Sequence, residues 1–316
     1  MAVGRAAMNG VGRYRQRGAA VLTALLLVSA AVAAVVPNSV GERVAVARTA
    51  KLADLAQLRL MARGVERWAG MMLERDGKNS LLDHTGESWN RKVDNIPAEG
   101  GTASGHITDE QGRFNLNDLM SDGRPDPLQV ERFRRLLEKL DLNPALSDAV
   151  IDWIDKDELV RVPGGAESAT YLAKQQPYRA ANAPMTMTSE LLLIQGFSQA
   201  SFVVLEPYIS ALPFRASINV NTASVTVLRA IIPGIDESGL RQFLAERHYA
   251  PIESLDELRA HPLFSVEGIE LDGLGTGSDW FRVEATLNLR RARLEHKALL
   301  LRSDDATRVW QRWSGG

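Results

Sequence analysis

The sequence predicts an α+β fold in which a long N-terminal helix packs on an antiparallel sheet, with a large helical insertion between the strands. Three features carry that expectation. An uncharged apolar run continues, across a kink expected at Pro37, into an amphipathic helical repeat. Stretches with an apolar period of two stand at the C-terminal end. Between them, after a turn-rich stretch from Asp118 to Pro127, the pattern is helical to about Leu263.

The first element begins among arginines. Arg5, Arg13, Arg15 and Arg17 precede a stretch, residues 18–41, that holds no charge at all. Residues 19–36 are Ala, Val and Leu with only Thr23 and Ser29 as polar relief. Some 18 helical residues rise roughly 27 Å, the thickness of a bilayer core. Basic residues before the run and Glu42 after it predict a cytoplasmic N-terminus and an exported body. A cleaved signal peptide is the alternative, with Ala31-Val32-Ala33 as its small-x-small site. Against it, Leu52, Leu55, Leu58, Ala62, Val65, Ala69 and Met72 continue the helix with charges between them. Trp68 on this helix is expected to pack on the sheet.

After Asp76 a Gly- and Asn-containing stretch reads as loop to about Ser104, and residues 105–117 as two short strands around a turn. Helices are expected over 128–140, over 144–154 with Asn143 as N-cap and Pro144 at the first helical position, and from Ser189 to about Ile194. A helical pair over 222–232 and 237–247 surrounds Pro233-Gly234-Ile235, and a short helix covers 255–259. Phe281, Val283, Ala285, Leu287 and Leu289 then alternate with polar residues, and strands over 292–302 and 307–313 follow. Two strands thus precede the insertion and three follow it.

Composition excludes several chemistries. The 316 residues suffice for one large domain or two modest ones with real cores. With 45% apolar and 24% charged residues and a formal charge of −2, phosphate is disfavoured as the principal partner. No cysteine is present, which rules out disulfides, thiolate metal sites and cysteine nucleophiles. The five histidines are scattered without metal-binding spacing. Gly196-Phe197-Ser198-Gln199-Ala200 is not a nucleophile elbow, since its last residue is Ala. No enzymatic activity is expected.

Two constellations remain. Asp152, Asp155, Asp157, Glu158 and Glu167, with Asn182 further on, repel one another unless water or a cation neutralises them. Hard oxygen donors on a flexible segment suit Ca²⁺, although the spacing is not that of an EF-hand, because Leu159 stands at its fifth position. Solvated acids at a helix end around Gly164-Gly165 are the other reading. The second constellation, Ile218-Asn219-Val220-Asn221-Thr222-Ala223 with Ile232-Pro233-Gly234-Ile235, resembles a helix-hairpin-helix, whose backbone N–H groups can meet DNA phosphates. Asp236 and Glu237 follow where phosphate would want Lys or Arg, so a plain turn between helices is the preferred reading, with Asn219 and Asn221 bonding the turn or capping the helix.

An ordered set of short blocks resembles the type II secretion minor pseudopilins of the K type. Asp109-x-x-Gly112-x-Phe114-Asn115-Leu116-Asn117 is the first block. Asp152-Trp153-Ile154-Asp155-x-Asp157, Gly165-Ala166-Glu167, Tyr171, Tyr178 and Ala180-Ala181-Asn182-x-Pro184-Met185 form the second. Ser189-Glu190-Leu191 and residues 218–223 follow in order. Arg15-Gln16-Arg17-Gly18-Ala19 resembles a prepilin peptidase site, and Thr23 stands where most pilins carry Glu. The resemblance covers nearly the whole chain. It implies a type IV pilin-like fold divided into a leader over 1–18, a transmembrane and assembly helix over 19–41, an amphipathic helix and first strands over 42–118, a helical insertion over 119–265, and closing strands over 266–316. It implies cleavage between Gly18 and Ala19, methylation of the new N-terminus, an inner-membrane anchor and a periplasmic body. It implies a structural Ca²⁺ in the helical insertion, for which Asp155, Asp157 and Glu167 are the first choices and Asp152 and Asn182 the second. The implied partners are I- and J-type minor pseudopilins, the inner-membrane secretion platform, prepilin peptidase and the membrane, with no nucleic acid. The implied role is at the tip of the pseudopilus. The rivals are a membrane-anchored DNA-binding protein using the Pro233-Gly234 hairpin and a metal-dependent hydrolase using the acids.

Overall fold

In a computed structural model of the chain, residues 15–265, 269–303 and 306–315 are described, with the side chains of 15–18, 34–41 and 314–315 left aside. The chain divides into two compact units, residues 1–57 and 58–316. The elements run α1 (Arg15–Gly77), β1 (Val93–Ala98), β2 (Gly101–Asp109), β3 (Phe114–Asn115), β4 (Met120–Ser121), β5 (Arg124–Pro125), α2 (Pro127–Lys139), α3 (Leu146–Ile154), α4 (Ser168–Leu172), α5 (Gln199–Leu205), β6 (Ile209–Ser210), β7 (Ile218–Asn219), α6 (Val225–Ile231), α7 (Glu237–Glu246), α8 (Leu255–Ala260), β8 (Leu274–Gly275), β9 (Trp280–Leu289), β10 (Ala292–Arg302) and β11 (Thr307–Gly315). Mixed helix and sheet make the fold α+β.

The first unit is the N-terminal part of α1. Val21, Leu22, Leu25, Leu26 and Leu27 are exposed along it. Its two hydroxyls bond back to the helix: Thr23 Oγ1 donates to the carbonyls of Ala19 and Ala20, and Ser29 Oγ to that of Leu25. Polar groups satisfied this way suit apolar surroundings. The proposed leader lies largely outside the described residues, with Gly18 and Ala19 near the start of α1. Among the described residues no helix is long and apolar enough to cross a membrane. The apolar run continues at its C-terminal end into residues 34–41, outside the described side chains.

In the second unit, five strands form one antiparallel sheet in the order β1-β2-β9-β10-β11. The β2–β9 pairing joins Ile107 to Val283 across the whole insertion. The predicted period of two holds, with Phe281, Val283, Ala285, Leu287 and Leu289 all buried. Ala69 and Leu73 of α1 pack on Ile107, Phe281, Val283, Ala298 and Leu300, with Trp89 edge-on to Phe281. One ionic cluster stands in this packing. The Glu66 carboxylate takes Nε and Nη2 of Arg312 at 2.7 and 2.8 Å and lies 2.8 Å from His296 Nε2. Burial would raise the Glu66 pKa, but the Arg312 and His296 contacts hold it below the usual carboxylate value. Trp68 is half-exposed and lines an apolar cleft of about 250 Å³ with Val93, Ile96, Ala98 and Val283.

Several expectations need correction. The stretch read as loop to Ser104 contains β1 and the start of β2. Glu99 and Gly100 turn the chain there with φ of 41° and 84°, a left-handed pair that suits a tight hairpin. Apolar alternation is missing because Asp94, Asn95, Pro97, Ser104 and the glycines present almost no buried face, and a register shift between Val93 and Ile96 breaks the period. The second short strand, Phe114–Asn115, does not join this sheet. It pairs in parallel with Ile209–Ser210. Asn143 does not cap α3 directly: its Oδ1 accepts from Ala145 N–H in a preceding turn, and α3 starts at Leu146. The helix expected from Thr222 starts at Val225 with Ser224 as its cap, and residues 188–193 form a 3-10 helix. Leu274–Gly275 pairs with Ile218–Asn219 beside the helices, so the chain returns to the sheet at Trp280.

Candidate metal centre

The acidic site is built by one helix end and the loop that leaves it. Asp152 and Asp155 lie three residues apart on α3 and its C-cap, hence on one face. Glu167 stands just before α4. Beneath them Trp153 meets Tyr171 edge-on at 5.3 Å, and Tyr171 stacks on Tyr178 at 5.3 Å. These second-block aromatics fix the helix end against the returning chain, and Asn182 N–H closes the turn on the Trp153 carbonyl at 2.9 Å. Gly165 is required by proximity: a Cβ there would meet Asp152 Oδ2 at 2.2 Å.

Asp152, Asp155 and Glu167 are all buried and offer oxygens within 4.8 Å of one another. Both oxygens of Asp155, both of Glu167, Oδ1 of Asp152 and Oδ1 of Asn182 have no hydrogen-bond partner. Burial pushes Asp155 up to about 6, with the charges of Asp157 and Asp152 adding to it. Burial, then Asp152 and Asp155, pushes Glu167 up to about 7. Buried carboxylates normally find donors. Unpartnered buried oxygens on three acids are a hard-ligand set that fits a divalent cation accepting six to eight oxygens. Of the residues singled out in the sequence, the structure thus brings together Asp152, Asp155 and Glu167. Asn182 is close by, its Nδ2 donating to Glu158 Oε1 at 3.2 Å. Asp157 is exposed, and its Oδ1 accepts from Leu159 N–H at 2.8 Å. Glu158 is engaged by the N–H and hydroxyl of Ser168.

A second acid group escaped the sequence reading. Asp76, Asp83 and Glu87 also bring oxygens within 4.8 Å. Here much of the compensation is supplied by the protein: Arg302 pairs with Asp76 and Asp83, and Glu87 accepts from Trp89 Nε1 and His84 N–H, while Oδ1 of Asp83 has no hydrogen bond and burial pushes Asp76 up to about 6 and Asp83 up to about 7. Arg302 lies more than two hundred residues from these acids in sequence, so no local spacing signals the group.

The hairpin constellation resolves into a buried staple. Asn219 Nδ2 donates to the Asp83 carbonyl, Asp109 Oδ2 and Ser278 Oγ at 3.0–3.1 Å, and its Oδ1 accepts from Asn221 N–H. Asp109 also accepts from Thr222 Oγ1 and Ser278 Oγ. The first block therefore meets residues 218–223 directly, and Gly112 is where Thr222 leaves no room for a Cβ. Gly234 takes a φ of 67°, and Asp236 caps α7 by accepting from Gly239 N–H at 2.7 Å. Arg229 is paired with Glu237. A carboxylate thus holds the helix N-terminus that a phosphate would need.

Comparison with known proteins follows the same segments. Family models described as "Type II secretion system (T2SS), protein K" match residues 112–214 and 218–276. The type II secretion system protein K of Pseudomonas aeruginosa is 35% identical over 260 residues, covering 79% of this chain and 78% of the relative. That of Pectobacterium carotovorum subsp. carotovorum is 31% identical, covering 96% and 98%. A chain of the crystal structure of the GspK-GspI-GspJ complex from the enterotoxigenic Escherichia coli type 2 secretion system superposes with a TM-score of 0.75 at 25% identity, over 85% of this chain and 99% of that one.

Proposed function

The chain belongs to the type II secretion system protein K family, and from that premise we propose that it is a minor pseudopilin, anchored in the inner membrane by residues 19–41, that helps to start a secretion pseudopilus from its tip. The observation that carries this reading is the likeness, over nearly the whole chain, to a protein solved in complex with GspI and GspJ. I- and J-type subunits are accordingly its partners. The uncharged run behind four arginines supplies the anchor, and the packing of residues 58–77 of α1 on the sheet is what a pilin-like fold requires. Thr23 in place of the usual acid removes one partner of the contact that pilins make with a neighbour's N-terminal amine. The helical insertion adds bulk that obstructs a further subunit. Both suit a subunit with no neighbour above it, and neither asks for catalysis.

The acid group is a structural Ca²⁺ site in this reading. Asp152, Asp155 and Glu167 would hold the ion, with Asn182 Oδ1 as a further donor. A bound cation there supplies the positive charge that fixes the end of α3 to the start of α4. The DNA-binding alternative is disfavoured by Asp236, whose carboxylate caps the hairpin helix.

Mass analysis of the membrane-extracted N-terminus tests the assignment. A chain starting at Ala19 only when prepilin peptidase is present supports it. A chain starting after Ala33 leaves a secreted domain without an anchor and overturns it.

A further inference from the structure

Arg161 brings a positive charge to two of the three buried acids. Arg161 Nε lies 3.4 Å from Asp152 Oδ1, and Nη2 lies 3.7 Å from Asp155 Oδ2. Neither contact is a hydrogen bond: Arg161 Nε and these oxygens are all without one. They are the same oxygens that would face a cation. The backbone of Arg161 is tied down far better than its side chain. Its N–H donates to the other Asp152 oxygen, Oδ2, at 3.1 Å, and its carbonyl accepts from Gly165 N–H at 2.8 Å. The side chain is 35% exposed, and Lys156, Asp157, Leu159, Val160 and Val162 around it are exposed as well. The guanidinium can therefore swing into water without opening a core. It carries donors only and cannot ligate a cation.

We propose that Arg161 is a displaceable counter-ion whose side chain sets the cation affinity of the acid group. Its guanidinium neutralises Asp152 and Asp155 when no divalent cation is bound, and gives up both contacts when one is. The anchored backbone keeps the loop in place through the exchange. This rests on the divalent-cation reading of the site, since an exchange needs a second occupant. A residue acting only as structural support would weaken cation binding when removed, whereas a competing charge strengthens it.

Calorimetric titration of Ca²⁺ into the detergent-solubilised full chain, stripped with chelator, tests the exchange in the native protein and in Arg161→Gln, Arg161→Met, Arg161→Lys and Glu167→Gln. Arg161→Gln and Arg161→Met are expected to bind Ca²⁺ about tenfold more tightly than the native chain, because a repelling charge close to the ion is gone. Arg161→Lys keeps that charge and stays within about threefold of native. Melting in chelator supplies the second readout: Arg161→Gln and Arg161→Met melt below native without calcium and at or above it with calcium. Native binding that is unchanged or weakened in both neutral variants overturns the proposal and leaves the cation site standing. Absence of Ca²⁺ uptake by the native chain overturns both, and uptake that survives in Glu167→Gln shows the ion to be bound elsewhere, which also overturns both.

Discussion

Glu66 and Glu167 are equally hidden and oppositely placed. Glu66, between α1 and the sheet, has partners on both oxygens from Arg312 and His296. Glu167, in the helical insertion, has none on either oxygen and two further acids beside it. The first is a finished polar cluster that the protein completes from its own strands. The second is a ligand set whose compensation must come from outside or from a loosely held arginine. The lesson is that burial of an acid does not by itself mark a site. The state of its partners does, and the Asp76, Asp83 and Glu87 group, where Arg302 pairs with two of the acids but Oδ1 of Asp83 has no hydrogen bond, stands between the two.

The largest expected effect lies at the finished cluster. Glu66→Ala removes the carboxylate that His296 and Arg312 share and is predicted to cost about 3 kcal/mol in denaturant unfolding, the low end for a broken buried pair because Arg312 reaches solvent. The loss is the same with calcium or chelator. Next comes the ion. At a hundred times its dissociation constant, Ca²⁺ is expected to stabilise the native chain by about 2.7 kcal/mol and to leave Glu167→Gln unmoved, as followed by thermal melting. Neutralisation should then act with opposite signs in the two regions. In chelator, Asp155→Asn combined with Glu167→Gln is predicted to stabilise by about 1 kcal/mol by removing buried negative charge in excess of what Arg161 neutralises, whereas Glu66→Gln destabilises. Equal signs would erase the comparison.

Acid sharpens it further. The Glu66 pKa is held down, so its contribution is complete above about 4.5 and is lost only as pH falls through the lower folded value. Asp155 and Glu167 are pushed up to about 6 and about 7, from ordinary values of 3.8 and 4.5. Folding then retains protons that the unfolded chain releases. Their cost is absent below those ordinary values, grows as pH rises, and is complete above about 7. Hydrogen exchange in chelator should therefore show α3 and α4 better protected at pH 5 than at pH 8. The smallest effect is at Asp157, exposed and engaged with Leu159 N–H. Asp157→Asn is predicted to change stability by less than about 0.5 kcal/mol and to weaken Ca²⁺ uptake less than Glu167→Gln does.

Much of this was legible in the sequence where a period ran long enough. The Phe281–Leu289 alternation and the repeat through Leu58, Ala62 and Ala69 each bury one face, and burial writes the period; Leu73 is buried where the repeat predicted Met72. The β1–β2 hairpin was hidden because an edge made of Asp94, Asn95, Pro97 and glycines buries little; only the Glu99-Gly100 turn marked it. At the site, Asp152 and Asp155 show their shared face through helical spacing, and Glu167 joins them across a loop that Gly165 allows. Arg161 carries no such signal, because it and Lys156 read alike as solvated charges among five acids until the distance from Arg161 to Asp152 is known. Asn219 was read as a local turn residue, while its partners Asp109 and Ser278 lie over fifty residues away.

The most direct test is an anomalous difference map from crystals of the protein grown with Tb³⁺ standing in for Ca²⁺. A peak within about 2.3–2.6 Å of oxygens from Asp152, Asp155 and Glu167 is predicted, with none at Glu66 or at the Asp76, Asp83 and Arg302 group. A map empty at the three acids, or a peak at either closed cluster instead, would contradict the account.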